Sequence, residues 1–137
     1  MSAKLNIENY LGISPKSEFD LAEIVEKGLP TGSIARLRNE GLTFSEIAEI
    51  VISPRTLKHR KARGEQLSHE ETDRAVRVAR IIALADQVFG NRDKALSWLR
   101  LKDDRLHDRA PLSMLHTEAG GRVVENMLWQ IDEGVYA

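Results

Sequence analysis

The sequence has no cysteine among its 137 residues and few aromatic residues, at 5%. Without cysteine, the chain cannot form a disulfide, a zinc finger or a cysteine nucleophile. No apolar run approaches the ~20 residues that cross a bilayer, and the N-terminus lacks the basic and then apolar pattern of a secretion signal. We therefore expect a cytoplasmic protein with no membrane contact.

The chain also offers little for catalysis or metal binding. Its four histidines are scattered, with no pair at the i, i+4 spacing of a helical metal site. The carboxylate pairs Glu70-Glu71 and Asp103-Asp104 lie on polar segments, where helix-start charge and solvation explain them better than acid–base chemistry. No glycine-rich phosphate loop follows a strand. We expect no enzyme activity, no metal, no cofactor and no small-molecule substrate.

The composition favours an all-α fold. Hydrophobic residues make up 42% and charged residues 30%, which is typical of a folded domain rich in helix formers. We expect a helix-turn-helix bundle over residues 1–64 and a small helical domain over residues 65–137. Caps and apolar periodicity predict helices at 5–11, 19–27, 32–38, 44–50, 54–63, 69–89, 92–101, 111–115 and after 117.

Two helix-start signals lie close together near the middle of the chain. Thr43 is an N-cap with Glu46 three residues on, which makes a capping box. Ser53 is a second N-cap, and Pro54 suits the first helical position. The first helix can therefore run only about two turns before the second begins. Two short helices joined by a tight turn are the layout of a DNA-binding helix-turn-helix.

The second of these helices is basic on the side turned from the core. At ~100° per residue, Leu57 faces inward and Arg55, Lys58, His59 and Ala62 form the opposite stripe. Such side chains can reach base edges or phosphates, although a charge run alone often serves solubility only. The caps and the turn favour DNA, with Arg55, Lys58 and His59 reading bases. The candidate DNA-binding residues are Thr43, Ser53, Arg55, Thr56, Lys58, His59, Arg60, Lys61 and Arg63, the last three as phosphate contacts.

Charge and apolar residues are unevenly distributed. Net charge is −1, yet residues 103–137 carry seven acids against three arginines, while residues 55–63 carry five Lys or Arg and no acid. Such asymmetry indicates two surfaces with different partners.

The helix after Ser68 is apolar on more than one face, so it is either a central helix or a dimer helix. Because helix-turn-helix sites on DNA are commonly two-fold, we expect a homodimer.

Three motifs in the second half of the chain carry a family resemblance. They are FG-N-x-x-KA-x-x-WL, R-x-PL-x-x-L and TEAG-x-x-x-V, in that order. Together they resemble the toxin-binding domain of the Xre–MbcA–ParS antitoxins, and residues 28–67 are similar to the Xre-type N-terminal part of that family. The resemblance implies a type II antitoxin that binds a RES-domain toxin, which depletes cellular NAD, and represses its own operon by binding operator DNA.

The C-terminal end supplies candidates for binding such a toxin. A pocket for NAD must accept an anionic pyrophosphate, so acidic side chains and a terminal carboxylate could occupy it. Acids at a helix C-terminus are also unfavourable to the helix dipole, so helix stability does not explain them. The candidate toxin-binding residues are Arg109, Glu125, Trp129, Asp132, Glu133, Val135, Tyr136 and Ala137.

Some interpretations stay open at this point. Trp129 is as compatible with the core as with an interface anchor, and Arg109 either contacts a partner or holds its loop to Asp103 or Asp108. Gly120-Gly121 predicts a weak first turn of the last helix. The alternative function is a plain regulator or adaptor whose C-terminal domain dimerises or docks a protein other than a toxin.

Overall fold

The computed structural model describes residues 7–134 and is all α, which confirms the predicted fold class. Within that range, the only β pairing is an isolated bridge between Asp103 and Arg109. None of the described helices is both long and apolar enough to cross a membrane. The helices are α1 (Glu8–Leu11), α2 (Glu18–Lys27), α3 (Gly32–Asn39), α4 (Phe44–Ile50), α5 (Pro54–Arg63), α6 (His69–Phe89), α7 (Arg92–Arg100) and α8 (Glu118–Asp132), with 3-10 turns at Asp104–Leu106 and Pro111–His116.

Capping boxes fix the start of α4, as predicted, and the start of α6. The Thr43 hydroxyl accepts from the Glu46 N–H at 3.1 Å, and Glu46 accepts from the Thr43 N–H at 2.9 Å. Ser68 and Glu71 exchange the same two bonds at 3.1 and 2.8 Å. These contacts satisfy N–H groups that the first helical turn leaves without partners.

Helix α6 is the central helix of the chain. It packs against α1, α2, α7 and α8. Val78, Ile81, Ile82 and Ala85, which could have formed a dimer face, are each at most 5% exposed, and Phe89 is half-buried. Of the two alternatives for this helix, the structure therefore selects the central one. The apolar stripe of α6 gives no support to a homodimer.

The hydrophobic core is continuous between the two halves of the chain. Buried side chains of α1, α3 and α4 belong to one cluster with those of α6, α7 and α8. The Leu67 N–H donates to the Leu29 carbonyl at 2.8 Å, and the Leu29 N–H donates to the Thr72 hydroxyl at 3.0 Å. The 3-10 turn Pro111–His116 packs against α4 as well as α7 and α8. The proposed domains, 1–64 and 65–137, thus share buried contacts, and the boundary at residue 64 stays a prediction.

The glycine pair at the start of α8 allows close approach. A Cβ on Gly120 would lie 2.0 Å from the Met114 carbonyl oxygen, and one on Gly121 would lie 2.9 Å from the Arg77 side chain. The first turn is also capped by Thr117, whose hydroxyl accepts from the Gly120 N–H at 3.0 Å. The weak start expected from helix propensity is therefore offset by packing that only glycine permits.

Candidate nucleic-acid and protein interfaces

The turn between α4 and α5 is held by backbone and side-chain hydrogen bonds. The Ile52 N–H donates to the Ile47 carbonyl at 3.0 Å. Ser53 accepts from the Thr56 N–H at 3.1 Å and donates to the Thr56 hydroxyl at 2.8 Å. Arg74 of α6 donates to the Val51 carbonyl at 2.9 Å. Thr43 and Ser53 therefore act first as helix caps, and Thr56 is the hydrogen-bond partner of the Ser53 cap.

The stripe predicted from periodicity is present on α5. Arg55, Lys58, His59 and Ala62 are exposed, and together with half-buried Thr56 they line one shallow depression. Lys61 and Arg63 are also exposed, beside this stripe. The arrangement presents hydrogen-bond donors around one small residue, as a helix that enters a DNA groove requires.

On its opposite side, α5 makes only a light apolar contact. Leu57 is half-buried against the core, as predicted, and lines an apolar groove with Ile47 and Ile52. Phe44, at the start of α4, also lines this groove and is 64% exposed. Arg38 lies over the Phe44 ring, 3.4 Å from its centroid. The interface of α5 with the rest of the chain is therefore small.

Arg60 differs from the other cations of α5. Its guanidinium donates to both carboxylate oxygens of Glu71 at 3.0 Å and to Glu65 at 3.2 Å, and its side chain is 24% exposed. Arg63, by contrast, is 63% exposed and lies 4.0 Å from Glu65. The sequence grouped Arg60 with Lys61 and Arg63 as phosphate contacts. That role stays a prediction for all three, but of these three residues only Arg60 makes hydrogen bonds to carboxylates of the described part of the chain.

The two capping glutamates each bind an arginine of another helix. Glu46 accepts from Arg100 of α7 at 2.7 and 2.9 Å, as Glu71 accepts from Arg60. Burial pushes the pKa of both carboxyls up, but hydrogen bonds from the arginine and from the capped N–H outweigh burial, so each pKa falls below its ordinary value. Both glutamates are therefore charged at neutral pH and join two helices.

A third polar cluster was not anticipated from the sequence. Arg92 of α7 donates to Asp86 at 2.8 and 2.9 Å, to Glu40 at 2.7 Å and to the Tyr10 hydroxyl at 2.7 Å. The Tyr10 hydroxyl in turn donates to Asp86. Burial and the Asp86 carboxylate raise the pKa of Tyr10 far above its ordinary value. The cluster joins α1, α3, α6 and α7, and we assign it a structural role.

The C-terminal candidates cluster along α8. Glu125, Asp132 and Glu133 are exposed. Trp129 is half-buried against the core, and its ring N–H donates to Glu125 at 3.4 Å. This tryptophan is therefore partly core and partly accessible. Val135, Tyr136 and Ala137 lie outside the described residues.

Arg109 holds the loop before α8 through hydrogen bonds with Leu106 and Asp103. Arg109 is exposed, and its guanidinium donates to the Leu106 carbonyl at 3.3 Å. Its carbonyl accepts from the Asp103 N–H at 3.1 Å. The carboxylate of Asp103 instead binds Arg105, at 2.8 and 3.1 Å. Of the two alternatives for Arg109, the loop role is present, through its bond to the Leu106 carbonyl and its backbone bond to Asp103. A contact of Arg109 with a partner stays a prediction.

A groove of mixed charge runs between α6 and α8. Arg77 of α6 binds Asp73 at 2.6 Å and the Leu115 carbonyl at 3.2 Å, and Arg122 of α8 binds Glu118. Glu125 lies on the same groove. Sequence reasoning missed the groove because its walls come from two helices that are not neighbours along the chain.

Comparisons with known proteins agree with this layout. The model of the antitoxin Xre-like helix-turn-helix domain matches residues 20–80, and that of the antitoxin Xre/MbcA/ParS C-terminal toxin-binding domain matches residues 84–134. The two matches meet inside α6. Fold and matches define a helix-turn-helix protein with a second, protein-binding region.

Curated relatives then place the chain in a family. Antitoxin Xre of Pseudomonas putida is 36% identical over 118 residues, which is 86% of this chain and 74% of that protein. Antitoxin Xre of Photorhabdus laumondii is 30% identical over 129 residues, which is 91% of this chain and 86% of that protein. The chain belongs to the Xre family of antitoxins, as its motifs indicated.

Proposed function

We propose that this antitoxin neutralises a RES-domain toxin by binding it and represses its own operon through α4 and α5. The observation that carries the DNA-binding part is the exposed stripe of Arg55, Lys58 and His59 on a capped helix-turn-helix. The identity of the toxin rests on the family resemblance. We assign the chain no catalytic role and place it in the cytoplasm.

The roles of the α5 side chains follow from their positions. Residues on the exposed stripe can approach base edges, whereas Lys61 and Arg63 beside it are placed for phosphates. Replacing Arg55 by Ala is expected to weaken binding to the operator by about 1–3 kcal/mol and to relax sequence preference. Lys61→Ala is expected to weaken all sequences alike and to lower the salt slope by about one. Exposed Lys94 of α7 supplies a control, Lys94→Ala.

Fluorescence anisotropy with the promoter fragment and a scrambled duplex, at several salt concentrations, measures both effects. Loss of promoter preference in Arg55→Ala, with an unchanged Lys94→Ala control, is the expected result. Equal promoter preference in wild type and Arg55→Ala would contradict the assignment of Arg55 to base recognition.

For the toxin, we propose that the acidic end of α8 and residues 135–137 block the mouth of the NAD pocket. Glu125, Asp132 and Glu133 are exposed and match the charge of a pyrophosphate, and the accessible part of Trp129 supplies an apolar anchor. The test deletes residues 132–137 and co-expresses the chain with the toxin. Loss of protection, with promoter binding kept, supports the proposal. Full protection and intact NAD would place the neutralising surface elsewhere, such as Arg109 to Leu115.

The alternative of a plain regulator or adaptor is less favoured, because the chain belongs to an antitoxin family. A neighbouring gene that encodes a RES-domain protein would favour the proposed pairing with such a toxin, and the absence of that gene would favour the alternative.

We also propose that the protein binds DNA as a homodimer, since operators of helix-turn-helix proteins are commonly two-fold. Sedimentation that shows only monomer at micromolar concentration, with one chain per DNA site, would contradict the dimer.

A further inference from the structure

Helix α5 is unusual in how little packing holds it. It is the one helix in the described part of the chain that buries no side chain. Its inward residue, Leu57, is only half-buried, and its ends are fixed by Ser53 and Gly64. Caps fix where a helix begins and ends, but they leave its rotation and tilt against the core poorly determined.

One ion pair supplies the missing anchor. The Arg60 guanidinium meets the Glu71 carboxylate through two parallel bonds, each 3.0 Å long, a geometry that fixes direction as well as distance. Glu71 is itself held, because it accepts the Ser68 N–H at 2.8 Å and is only 8% exposed on its side chain. Within residues 7–134, the two bonds of this pair are the only side-chain hydrogen bonds from α5 to another helix.

The positive charge of Arg60 is also largely balanced by carboxylates of the same chain. Glu71 and Glu65 both accept its hydrogen bonds, whereas Lys61 beside it is exposed and has no carboxylate partner among the described residues. Three of the five N–H groups of Arg60 are already bonded to carboxylates, and its charge is balanced by them. Lys61 has no such partner within residues 7–134 to share its charge, so the two cations should behave differently toward DNA.

We propose that Arg60 is a positioning residue, whose ion pair with Glu71 sets the orientation in which α5 presents Arg55, Lys58 and His59. The proposal rests on the proposed DNA binding. It differs from the phosphate role because it makes Glu71, which faces the core side of α5, as important for sequence recognition as Arg60. The chain offers a matched control for each partner: Lys61 for Arg60, and exposed Glu70 for Glu71.

The test compares Arg60→Gln, Glu71→Gln and the double variant with Lys61→Gln and Glu70→Gln. Glutamine at position 71 keeps an acceptor for the Ser68 N–H, so the capping box can persist. Anisotropy at several salt concentrations uses the promoter fragment and a scrambled duplex, well below the unfolding temperature of every variant. Hydrogen exchange of the α5 amides, measured without DNA, reports the anchoring directly.

A positioning role predicts that Arg60→Gln, Glu71→Gln and the double variant all lose preference for the promoter fragment by a similar factor, about tenfold. Their salt slopes stay at the wild-type value, while Lys61→Gln lowers the slope by about 0.9. Amides of α5 exchange faster in both single variants, and Glu70→Gln behaves as wild type. Arg60→Lys, which keeps the charge but loses the two-bond geometry, is expected to fall between wild type and Arg60→Gln.

A phosphate role predicts the opposite pattern. Arg60→Gln would then lower the salt slope by about 0.9, and Glu71→Gln would free Arg60 and bind as well as wild type or better. Either result would overturn the proposal. If wild type shows no preference for the promoter fragment, the proposed DNA function fails, and unchanged exchange of α5 in Glu71→Gln would then overturn the anchoring as well.

Discussion

Helices α5 and α6 begin and end alike but are held in different ways. Each starts at a serine cap and ends at a glycine in the left-handed region. Helix α6 buries ten residues in the middle of the chain, whereas α5 buries none and exposes its basic stripe. Since burial of apolar surface is the main source of stability, α6 stabilises the fold, whereas most of the surface of α5 stays exposed, as the proposed DNA binding requires.

An exposed helix such as α5 needs anchors other than a wide apolar face. A helix with a wide apolar face would be well anchored but would have less surface for DNA. Helix α5 instead keeps most of its surface exposed, and its anchoring comes from caps, from Leu57 and from the contact between Arg60 and Glu71. Changes in α6 should therefore reduce stability, and changes in α5 should reduce binding.

The largest expected effect is on stability. Ile82→Ala in α6 removes a side chain that is 1% exposed and should lower the free energy of unfolding by about 2–5 kcal/mol. Leu57→Ala in α5 should lower it much less, because Leu57 is only half-buried. Urea denaturation of both variants measures the difference. Equal losses would mean that α5 is packed as firmly as α6.

A second prediction concerns the start of α8, where it packs close to α6. Gly120→Ala should destabilise the chain by about 1–3 kcal/mol, because its Cβ would meet the Met114 carbonyl oxygen at 2.0 Å. Gly32→Ala, in the first turn of α3, is the matched control, since nothing lies within 4 Å of its Cβ. That control should be neutral or stabilising. A gain of stability in both variants would show that helix propensity alone governs the α8 start.

The smallest expected effect is a pH dependence of the α5 anchor. The pKa of Glu71 is lower in the folded chain than its ordinary value of 4.5, so its contribution is present above that pH. The contribution is lost as the pH falls through the lowered pKa, and it is about 1 kcal/mol or less. Denaturation from pH 7 to pH 3 should show a shallower acid loss in Glu71→Gln than in wild type. Glu70→Gln should follow wild type; an equal slope in all three would exclude the contribution.

Helix caps and periodicity along the sequence predicted most helix boundaries and the exposed stripe of α5. A capping box joins residues three apart, such as Ser68 and Glu71, and helical periodicity placed Arg55, Lys58 and His59 on one face. Both depend only on neighbours along the chain, so sequence suffices for them.

Contacts between distant segments could not be predicted in this way. The sequence grouped Arg60 with Lys61 as phosphate contacts, but only the packing of α5 near α6 brings Glu71 to face Arg60. The contact of Tyr10 with Arg92, 82 residues apart, left no local signal. Gly120 looked like a weak helix start because propensity is local, while the nearby Met114 carbonyl is a tertiary feature.

The central claim is that the exposed stripe of α5 recognises DNA and that the C-terminal half acts separately on the toxin. The most direct test is the affinity of the double variant Arg55→Ala/Lys58→Ala for the promoter fragment, measured by fluorescence anisotropy beside wild type. We expect the variant to lose its preference for the promoter over a scrambled duplex and still to protect cells from the toxin. Equal affinity of wild type and variant for the promoter fragment would contradict it.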